Sequence, residues 1–144
     1  METRCLLWLF AAVLFVTGCD GQKRRDLQAE ALADTTKHLE KAVVLILRLS
    51  KLSELTPAYE VANTLRLFTH ELREWRREYM LLGAKMTTRG VSEAQQSEIT
   101  KQYKATVEDL RTKVAQAERR LAKRSDVQLF YADLQRVREA VRDL

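Results

Sequence analysis

Apolar residues recur every three or four positions along most of this chain, which is the spacing of α-helices that bury one face. The most regular run lies between about Pro57 and Lys85, where the spacings alternate 4, 3, 4, 3, 4, 3. Its members are Val61, Leu65, Phe68, Leu72, Trp75, Tyr79 and Leu82. Such a stripe is typical of the a/d seam of a helix that packs against other helices.

A second stripe of the same kind predicts another long helix. Its members are Ile99, Tyr103, Val107, Leu110, Val114, Ala117 and Leu121. Ser92-Glu93-Ala94-Gln95 has the form of a capping box, so we expect this helix to begin there. The preceding segment, Thr87-Thr88-Arg89-Gly90, is the clearest predicted loop in the chain.

Upstream of these two runs, the pattern predicts a first helix from about Asp26 to Leu55. Its predicted buried side carries Leu32, Leu39, Val43, Ile46 and Leu49. The stretch from Ala42 to Leu47 is apolar nearly all round, so we expect it to be the most buried part of this helix. Thr56-Pro57 reads as an N-cap followed by proline at the first position of the next helix.

Towards the C-terminus, Ser125-Asp126-Val127-Gln128 repeats the capping-box form, which favours a break over a kink after the third helix. The fourth helical stretch carries Phe130, Leu134, Val137, Val141 and Leu144. Short connections force neighbouring helices to run antiparallel. The predicted fold is therefore all-α, an elongated antiparallel bundle of three long helices with a shorter fourth helix or a kinked continuation of the third.

The first 19 residues follow a different pattern, that of a secretory signal. A short segment with one basic residue, Arg4, precedes an unbroken apolar run from Leu6 to Val16, and the small residues Thr17-Gly18 come before Cys19. The run of 11 residues would span about 16 Å as a helix, against the ~30 Å of a bilayer core. The segment is therefore too short for a comfortable transmembrane helix.

Val16-Thr17-Gly18-Cys19 resembles the lipobox of bacterial lipoproteins. The resemblance implies a diacylglyceryl group on the Cys19 thiol, cleavage between Gly18 and Cys19, and acylation of the new amino terminus; thiolate nucleophilicity suits this chemistry. In the enteric sorting scheme, Asp20 resembles the residue that retains a lipoprotein in the inner membrane. An uncleaved anchor, or a cleaved soluble protein in which Cys19 is incidental, stays open as an alternative.

On this interpretation the chain divides into three parts. Residues 1–18 are a lipoprotein signal peptide, residues 19–25 are the lipidated cysteine and a short basic linker, and residues 26–144 are the helical-bundle domain. The mature protein would lie outside the cytoplasm, on the periplasmic or outer side of a bacterial cell membrane. Its only cysteine would then be its first residue, because Cys5 and Cys19 are the two in the chain.

A moderate basic excess, with 25 Lys and Arg against 20 Asp and Glu, permits contact with anionic membrane or an acidic partner. Two clusters are candidates for such contacts, although the first could equally be a solvated linker and the second is better explained as cations that complement the dipole of a helix C-terminus. They are Lys23, Arg24 and Arg25 after the signal, and Arg119, Arg120, Lys123 and Arg124 near the end of the third helix. Nucleic acid is not an expected partner, because none of the usual binding modules is visible.

No catalytic constellation can be assembled from the remaining residues, and we expect neither enzyme activity nor a cofactor. The two histidines, His38 and His70, lack the Glu-x-x-His spacing of di-iron bundles. A metal site that adds Asp34 or Glu74 is conceivable, but packing or surface histidines are the better interpretation. The aromatic residues Phe68, Trp75, Tyr79 and Tyr103 are expected to pack in the core rather than to form a ligand pocket.

These features together predict a membrane-tethered interaction or adaptor module whose partner is another envelope protein. In outline it is similar to helical pilotins of secretion systems, exclusion lipoproteins of conjugative elements and immunity-type membrane inhibitors, although the resemblance covers the signal and not the domain. The alternative is a coiled-coil structural protein that self-associates into a homo-oligomer, and a small-molecule or metal binder is a third hypothesis. Apolar residues off the main seam could cover the fourth helix or bind another chain: Leu67, Met80, Leu81 and Met86.

Overall fold

The computed structural model describes the backbone of residues 3–144 and the side chains of residues 20–144, and every regular element in these ranges is helical. The elements are α1 (Thr3–Ser50), α2 (Ala58–Thr88), α3 (Glu93–Leu121), a short 3-10 turn (Val127–Leu129) and α4 (Tyr131–Arg142). The predicted lipobox and cleavage site, residues 16–19, lie outside the residues whose side chains are described. Within the described part, none of the helices combines the length and apolarity needed to cross a bilayer.

The predicted seams of α2 and α3 are confirmed. In α2 the first five members of the stripe, from Val61 to Trp75, are buried, while Tyr79 and Leu82 are partly buried. In α3 every member is buried except Tyr103, which is partly buried. Regular 4 and 3 spacings identified these faces because each helix buries a single side against its neighbours.

The loop between α2 and α3 begins slightly later than predicted, because α2 continues to Thr88. Gly90 adopts φ = 70°, a left-handed conformation that glycine reaches without steric cost. The predicted capping box at Ser92 is confirmed. Ser92 Oγ accepts from the backbone N–H of Gln95 at 3.3 Å, and the backbone N–H of Ser92 donates to the side-chain oxygen Gln95 Oε1 at 3.4 Å. These two bonds fix the point at which α3 begins.

The predicted boundary between the first two helices is wrong in detail. The first helix ends at Ser50 rather than Leu55, and residues 51–57 form a corner. Thr56 does not cap α2, because its Oγ1 accepts from the Ser53 amide at 3.0 Å and closes a turn within the corner. The Pro57 carbonyl instead accepts the first amide bonds of α2.

Residues 20–25, which were expected to belong to a short basic linker, are part of α1. Gln22 Nε2 donates to Asp26 Oδ1 at 2.9 Å, a pairing one helical turn apart that favours the helical state. Lysine and arginine are also good helix formers, and this segment contains no proline. The helix therefore extends beyond Asp26 towards the N-terminus, whereas the apolar pattern had predicted that it starts at about Asp26.

The predicted buried face of α1 is only partly right: Leu49 is buried and Leu32, Leu39 and Ile46 are partly buried against the core, but Val43 is exposed. The buried stripe of α1 is Ala31, Thr35, His38, Ala42, Leu45 and Leu49. Val43, Val44 and Leu47, which were expected in the most buried stretch, are each more than half exposed. Two polar residues lie on the buried face: Thr35 Oγ1 donates to the Ala31 carbonyl, and His38 Nδ1 bonds to Glu78, whereas His38 Nε2 has no hydrogen-bond partner among the described residues.

The break after α3 is confirmed, and α4 is a separate helix. The second capping box is wrong, because neither the 3-10 turn nor α4 has a side-chain cap. The α4 stripe is buried from Phe130 to Val141, with Leu144 partly buried. The sequence Ser125 to Gln128 lies in the corner rather than at a helix start, and Arg124 stabilises that corner in a way described below.

The helices pack into a bundle. In it α1 lies against α2 and α3, and α4 also lies against α2 and α3. Ion pairs align α1 with α2: Lys85 Nζ contacts Glu30 at 3.0 Å and Asp34 at 2.5 Å, and Arg48 pairs with Glu71. The late part of α2 therefore lies beside the early part of α1. The main core extends along all four helices, and Met86 joins a smaller cluster near the α2–α3 loop.

The bundle has two ends that matter for function. The near end consists of residues 20–28 of α1 and residues 88–92 of the α2–α3 loop, which are joined where Gln28 Nε2 donates to the Gly90 carbonyl at 2.8 Å. The far end consists of the two corners, residues 51–57 and 122–130. Between Arg24 and Ser50, α1 rises roughly 39 Å at 1.5 Å per residue, which separates the two ends.

Candidate functional site

The two histidines are not brought together. His38 is 2% exposed on the inner face of α1, and His70 is exposed on α2. Neither Asp34 nor Glu74 joins His38, because Asp34 bonds to Lys85 and Glu74 lies near Arg77. Within residues 20–144, no group of three or more metal-ligating side chains is placed to hold an ion.

His38 contributes to packing between α1 and α2. Its Nδ1 lies 3.1 Å from Glu78 Oε2, its ring stacks on Trp75 at 5.1 Å, and its carbonyl accepts from Trp75 Nε1 at 2.9 Å. Burial lowers the pKa of His38, although the hydrogen bond to Glu78 opposes this effect. The pKa of Glu78 is lowered chiefly by its hydrogen bond from Lys41. A neutral His38 beside an ionised Glu78 follows from these shifts.

The aromatic side chains form a stack inside the bundle, as predicted for core residues. Trp75 and Tyr103 stack with their centroids 5.1 Å apart, and Tyr79 and Tyr103 stack at 3.6 Å. Aromatic pairs of this kind stabilise helix contacts beyond simple burial of area. Burial is the main cause that raises the pKa of Tyr103, which keeps its phenol protonated at neutral pH.

A groove between α1 and α2 is lined by Lys41, Val44, Arg48, His70 and Glu74, together with neighbouring acidic residues. Its charges are satisfied across the two helices, since Arg48 pairs with Glu71 and Lys41 bonds to Glu78 at 2.7 Å. A ligand in this groove would have to compete with these internal pairs. The groove is therefore a weaker candidate site than a surface whose charges have no internal partner.

Arg124 was predicted as part of an exposed basic cluster, and the structure contradicts that role. Its side chain is 8% exposed and forms a fork with the Asp126 carboxylate at 2.8 and 2.6 Å. Its Nη1 donates to the carbonyls of Ser53 at 3.0 Å and Thr56 at 2.7 Å, and its guanidinium lies over Phe130. Arg124 thus joins the two corners, because a single planar fork reaches acceptors on both.

Both corners of the far end carry exposed apolar side chains. Leu55 is 94% exposed and Tyr59 is 72% exposed at the first corner. Leu129 is 73% exposed and Tyr131 is 46% exposed at the second corner. We call these four residues the far-end apolar surface. Tyrosine is a common anchor in protein interfaces, and exposed apolar patches often mark binding sites, so this surface is a candidate site for another protein.

Three members of the predicted basic cluster remain exposed near this surface: Arg119, Arg120 and Lys123. Among residues 20–144 none of the three makes an ion pair, since Glu118 pairs with Arg138 and Asp126 with Arg124. Their charges are available to an external group. The far end thus combines apolar anchors with a cationic margin, an arrangement that suits an acidic protein partner.

The near end holds the other predicted basic cluster. Lys23, Arg24 and Arg25 are exposed on α1, and Asp20 is exposed beside them. The structure adds Arg89 of the α2–α3 loop, which lines the same hollow as Lys23 and Arg24. The sequence did not predict that Arg89 joins this cluster, because the proximity of Arg89 to Lys23 and Arg24 depends on how α1 and α2 align.

Other exposed apolar residues lie along the helices. Of the four predicted off the main seam, Leu67, Met80 and Leu81 are exposed, whereas Met86 is buried. Sequence reasoning also did not select the far-end apolar surface, although its members stand out as apolar residues in or beside corners. An apolar residue next to a turn signal, rather than on a stripe, is the signal that could have identified them.

Comparisons with known proteins returned no match: no family model, no curated protein and no solved structure is similar to this chain. The functional interpretation therefore depends on the geometry of the two ends.

Proposed function

We propose that this chain is a bacterial lipoprotein whose helices form an elongated antiparallel bundle that binds an acidic envelope protein at its far end. In this proposal Cys19 carries the lipid after cleavage at Gly18, and Asp20 favours retention in the inner membrane. The domain acts by binding and not by catalysis, as an adaptor on the extracytoplasmic side of the membrane. It uses no metal or cofactor.

The observation that carries the proposal is the far-end apolar surface. Its four large side chains are 46–94% exposed, and Leu55, Tyr59 and Leu129 are the three most exposed large apolar residues of the described side chains. The surface lies roughly 39 Å along α1 from the basic residues that follow Cys19. A protein anchored at Cys19 would hold this surface away from the lipid, where another envelope protein could reach it.

Two features support a defined docking surface rather than two independent loops. Arg124 bonds to Ser53 and Thr56 of one corner and to Asp126 of the other, so the corners are held in a fixed relation. Preorganisation of this kind lowers the entropy that is lost on binding. The exposed cations Arg119, Arg120 and Lys123 favour an acidic partner, and they would accelerate association at low salt.

Site-specific photo-crosslinking in native membranes tests this function. A photoreactive amino acid at Leu55 and, separately, at Leu129 should give an adduct of the same mass, because the two positions belong to different corners of one surface. The matched control is Met80, which is 69% exposed but lies on α2 away from both corners. We expect no such adduct from Met80.

Adducts of equal intensity from Leu55, Leu129 and Met80, or different adducts from the two corners, would contradict a single far-end site. Charge reversal of the margin, with Arg119 and Arg120 both changed to Glu, should abolish the adduct while the chain stays folded, although the melting temperature should fall slightly because the dipole of α3 favours cations in its last turn. Retention of the adduct in that variant would contradict an acidic partner. Crosslinking at residue 129 to a copy of the chain itself would favour the second candidate function.

That second candidate is self-association into an envelope spacer, and a specific face of α1 favours it. Val43, Val44 and Leu47 are each 53–56% exposed on the side of α1 that faces away from the core. Sedimentation of residues 20–144 tests it directly. A monomer favours the adaptor, and an elongated oligomer that Val44→Asp dissociates favours the spacer.

A further inference from the structure

The near end brings together cations from two segments that lie far apart in the sequence. Lys23, Arg24 and Arg25 lie on α1 near the first residues whose side chains are described, and Arg89 follows the last turn of α2. Arg24 lies against the α2–α3 loop, where its Nη2 would be 3.2 Å from a Cβ built on Gly90. The loop is fixed in this position because Gln28 Nε2 donates to the Gly90 carbonyl at 2.8 Å.

These four cations have no internal partner. None makes an ion pair within the part of the chain that the structure describes, whereas Lys85, one turn before Arg89, pairs with both Glu30 and Asp34. The hollow formed by Lys23, Arg24 and Arg89 contains one carboxylate, that of Asp20. Asp26 on α1 and Glu93 at the start of α3 are the other acids beside these cations, so four positive charges face three negative ones. The near end therefore presents a net positive surface to any neighbour.

We propose that Lys23, Arg24, Arg25 and Arg89 form a membrane-facing surface that binds anionic phospholipid headgroups and holds the bundle upright. The inference rests on the proposed function for its location, because residue 20 directly follows the proposed lipid anchor. A lipid chain on Cys19 alone would leave the bundle free to tilt. Contact at both α1 and the α2–α3 loop restricts that tilt, since it fixes two points of the end rather than one.

Phospholipid headgroups fit this surface better than an acidic protein does. The four side chains spread over the end of the bundle with no large exposed apolar residue among them, and protein interfaces normally contain such anchors. Basic residues at a membrane surface bind anionic lipid mainly through their charge. The two basic clusters thus serve different partners, with lipid at the near end and protein at the far end.

Vesicle binding by residues 20–144 tests the proposal without the lipid anchor. Every buried residue that the structure describes lies between residues 31 and 141, so this fragment retains the core. We expect it to bind vesicles of an equimolar mixture of phosphatidylglycerol and phosphatidylcholine, and not vesicles of phosphatidylcholine alone. Binding should weaken as salt is raised, because salt screens exposed charges.

Arg89→Gln should weaken binding to the mixed vesicles about fivefold, which corresponds to the ~1 kcal/mol that one basic residue contributes at an anionic surface. The matched control is Arg120→Gln, which removes the same charge at the far end and should leave binding unchanged. Equal losses in the two variants would mean that net charge alone governs binding and would overturn the proposal. Equal binding to mixed and neutral vesicles would also overturn it.

Orientation gives a second readout. The fragment contains no cysteine, since Cys5 and Cys19 are the two in the chain, so Thr88→Cys and Leu129→Cys each allow a single fluorescent label. On mixed vesicles that contain a lipid-borne quencher, the label at residue 88 should be quenched and the label at residue 129 should not. Equal quenching would overturn the upright orientation. Because the fragment lacks Cys19, these outcomes are independent of whether the full chain is acylated.

Discussion

Leu45 and Leu47 are two positions apart in the sequence and lie on opposite sides of α1. They provide a test of which face of that helix is buried. Leu45 is 5% exposed within the main core, whereas Leu47 is 53% exposed on the outer face. Leu45→Ala removes three carbon atoms from the core, a transfer cost of about 2.4 kcal/mol before any cavity is counted. With the cavity included, we expect a loss of about 2–5 kcal/mol in the free energy of unfolding.

Leu47→Ala is the matched control, because it makes the same chemical change on a surface already open to water. We expect it to alter the free energy of unfolding by less than about 0.5 kcal/mol. The assay is urea unfolding of residues 20–144, followed by the fluorescence of Trp75, which is the only tryptophan of that fragment. Trp75 is 2% exposed and should report directly on loss of the α1–α2 contact.

Comparable losses in the two variants, or a larger loss for Leu47→Ala, would refute the assignment of the buried face. That result would restore the face predicted from apolar residues alone, which contained Val43 and Ile46. It would also remove the outer apolar face of α1 on which the self-association hypothesis depends.

Three further predictions concern single side chains. Burial lowers the pKa of His38 below its ordinary value of 6.5, so the unfolded chain binds the proton more readily; stability is complete above about pH 6.5 and falls below it. Unfolding measured between pH 8 and pH 5 should show a slope of at most about 1.4 kcal/mol per pH unit, which His38→Gln removes. Ser92→Ala should cost about 1 kcal/mol in chemical unfolding through loss of the α3 cap, and an unchanged midpoint would contradict the capping box. Arg124→Gln should cost about 2 kcal/mol, because the Thr56 carbonyl loses its donor and the link between the two corners is lost, whereas Arg120→Gln should melt like the wild type.

The helices that bury one regular face could be predicted from the sequence. On α2 the residues from Val61 to Trp75 are apolar at every seam position, so the periodicity and the buried face coincide. The Ser92 cap was also predictable, since both partners of its two hydrogen bonds lie within one turn of each other. Local spacing contains the information that such features require.

The buried face of α1 could not be predicted in this way. Thr35 and His38 are buried because they find partners, respectively the Ala31 carbonyl and Glu78, and the second of these partners lies on another helix. Hydropathy ranks Val43 and Leu47 above them, so the apolar pattern placed the centre of the buried face too far towards Val43 and missed Thr35 and His38. Burying a polar residue costs little free energy only when that residue forms a hydrogen bond. The partner of His38 lies on α2, so it cannot be identified before the packing of α1 against α2 is known.

The candidate sites depend on long-range geometry in the same way. Arg124 reads as one more cation in a basic cluster, yet its fork reaches carbonyls 68 and 71 residues away in sequence. Arg89 likewise joins Arg24 only because the α2–α3 loop lies beside the start of α1. The sequence predicted that basic clusters exist, whereas the separation of the near and far ends came from the fold.

Acyl labelling of the full chain in its own bacterial membranes tests the central claim most directly, because both proposed surfaces depend on an anchor at Cys19. Cells that express the wild type or Cys19→Ala are supplied with a labelled fatty acid, and the protein is recovered from membrane and soluble fractions. We predict a labelled wild type in the membrane fraction and an unlabelled variant. Label that persists in Cys19→Ala, or a wild type that carries none, would contradict the claim.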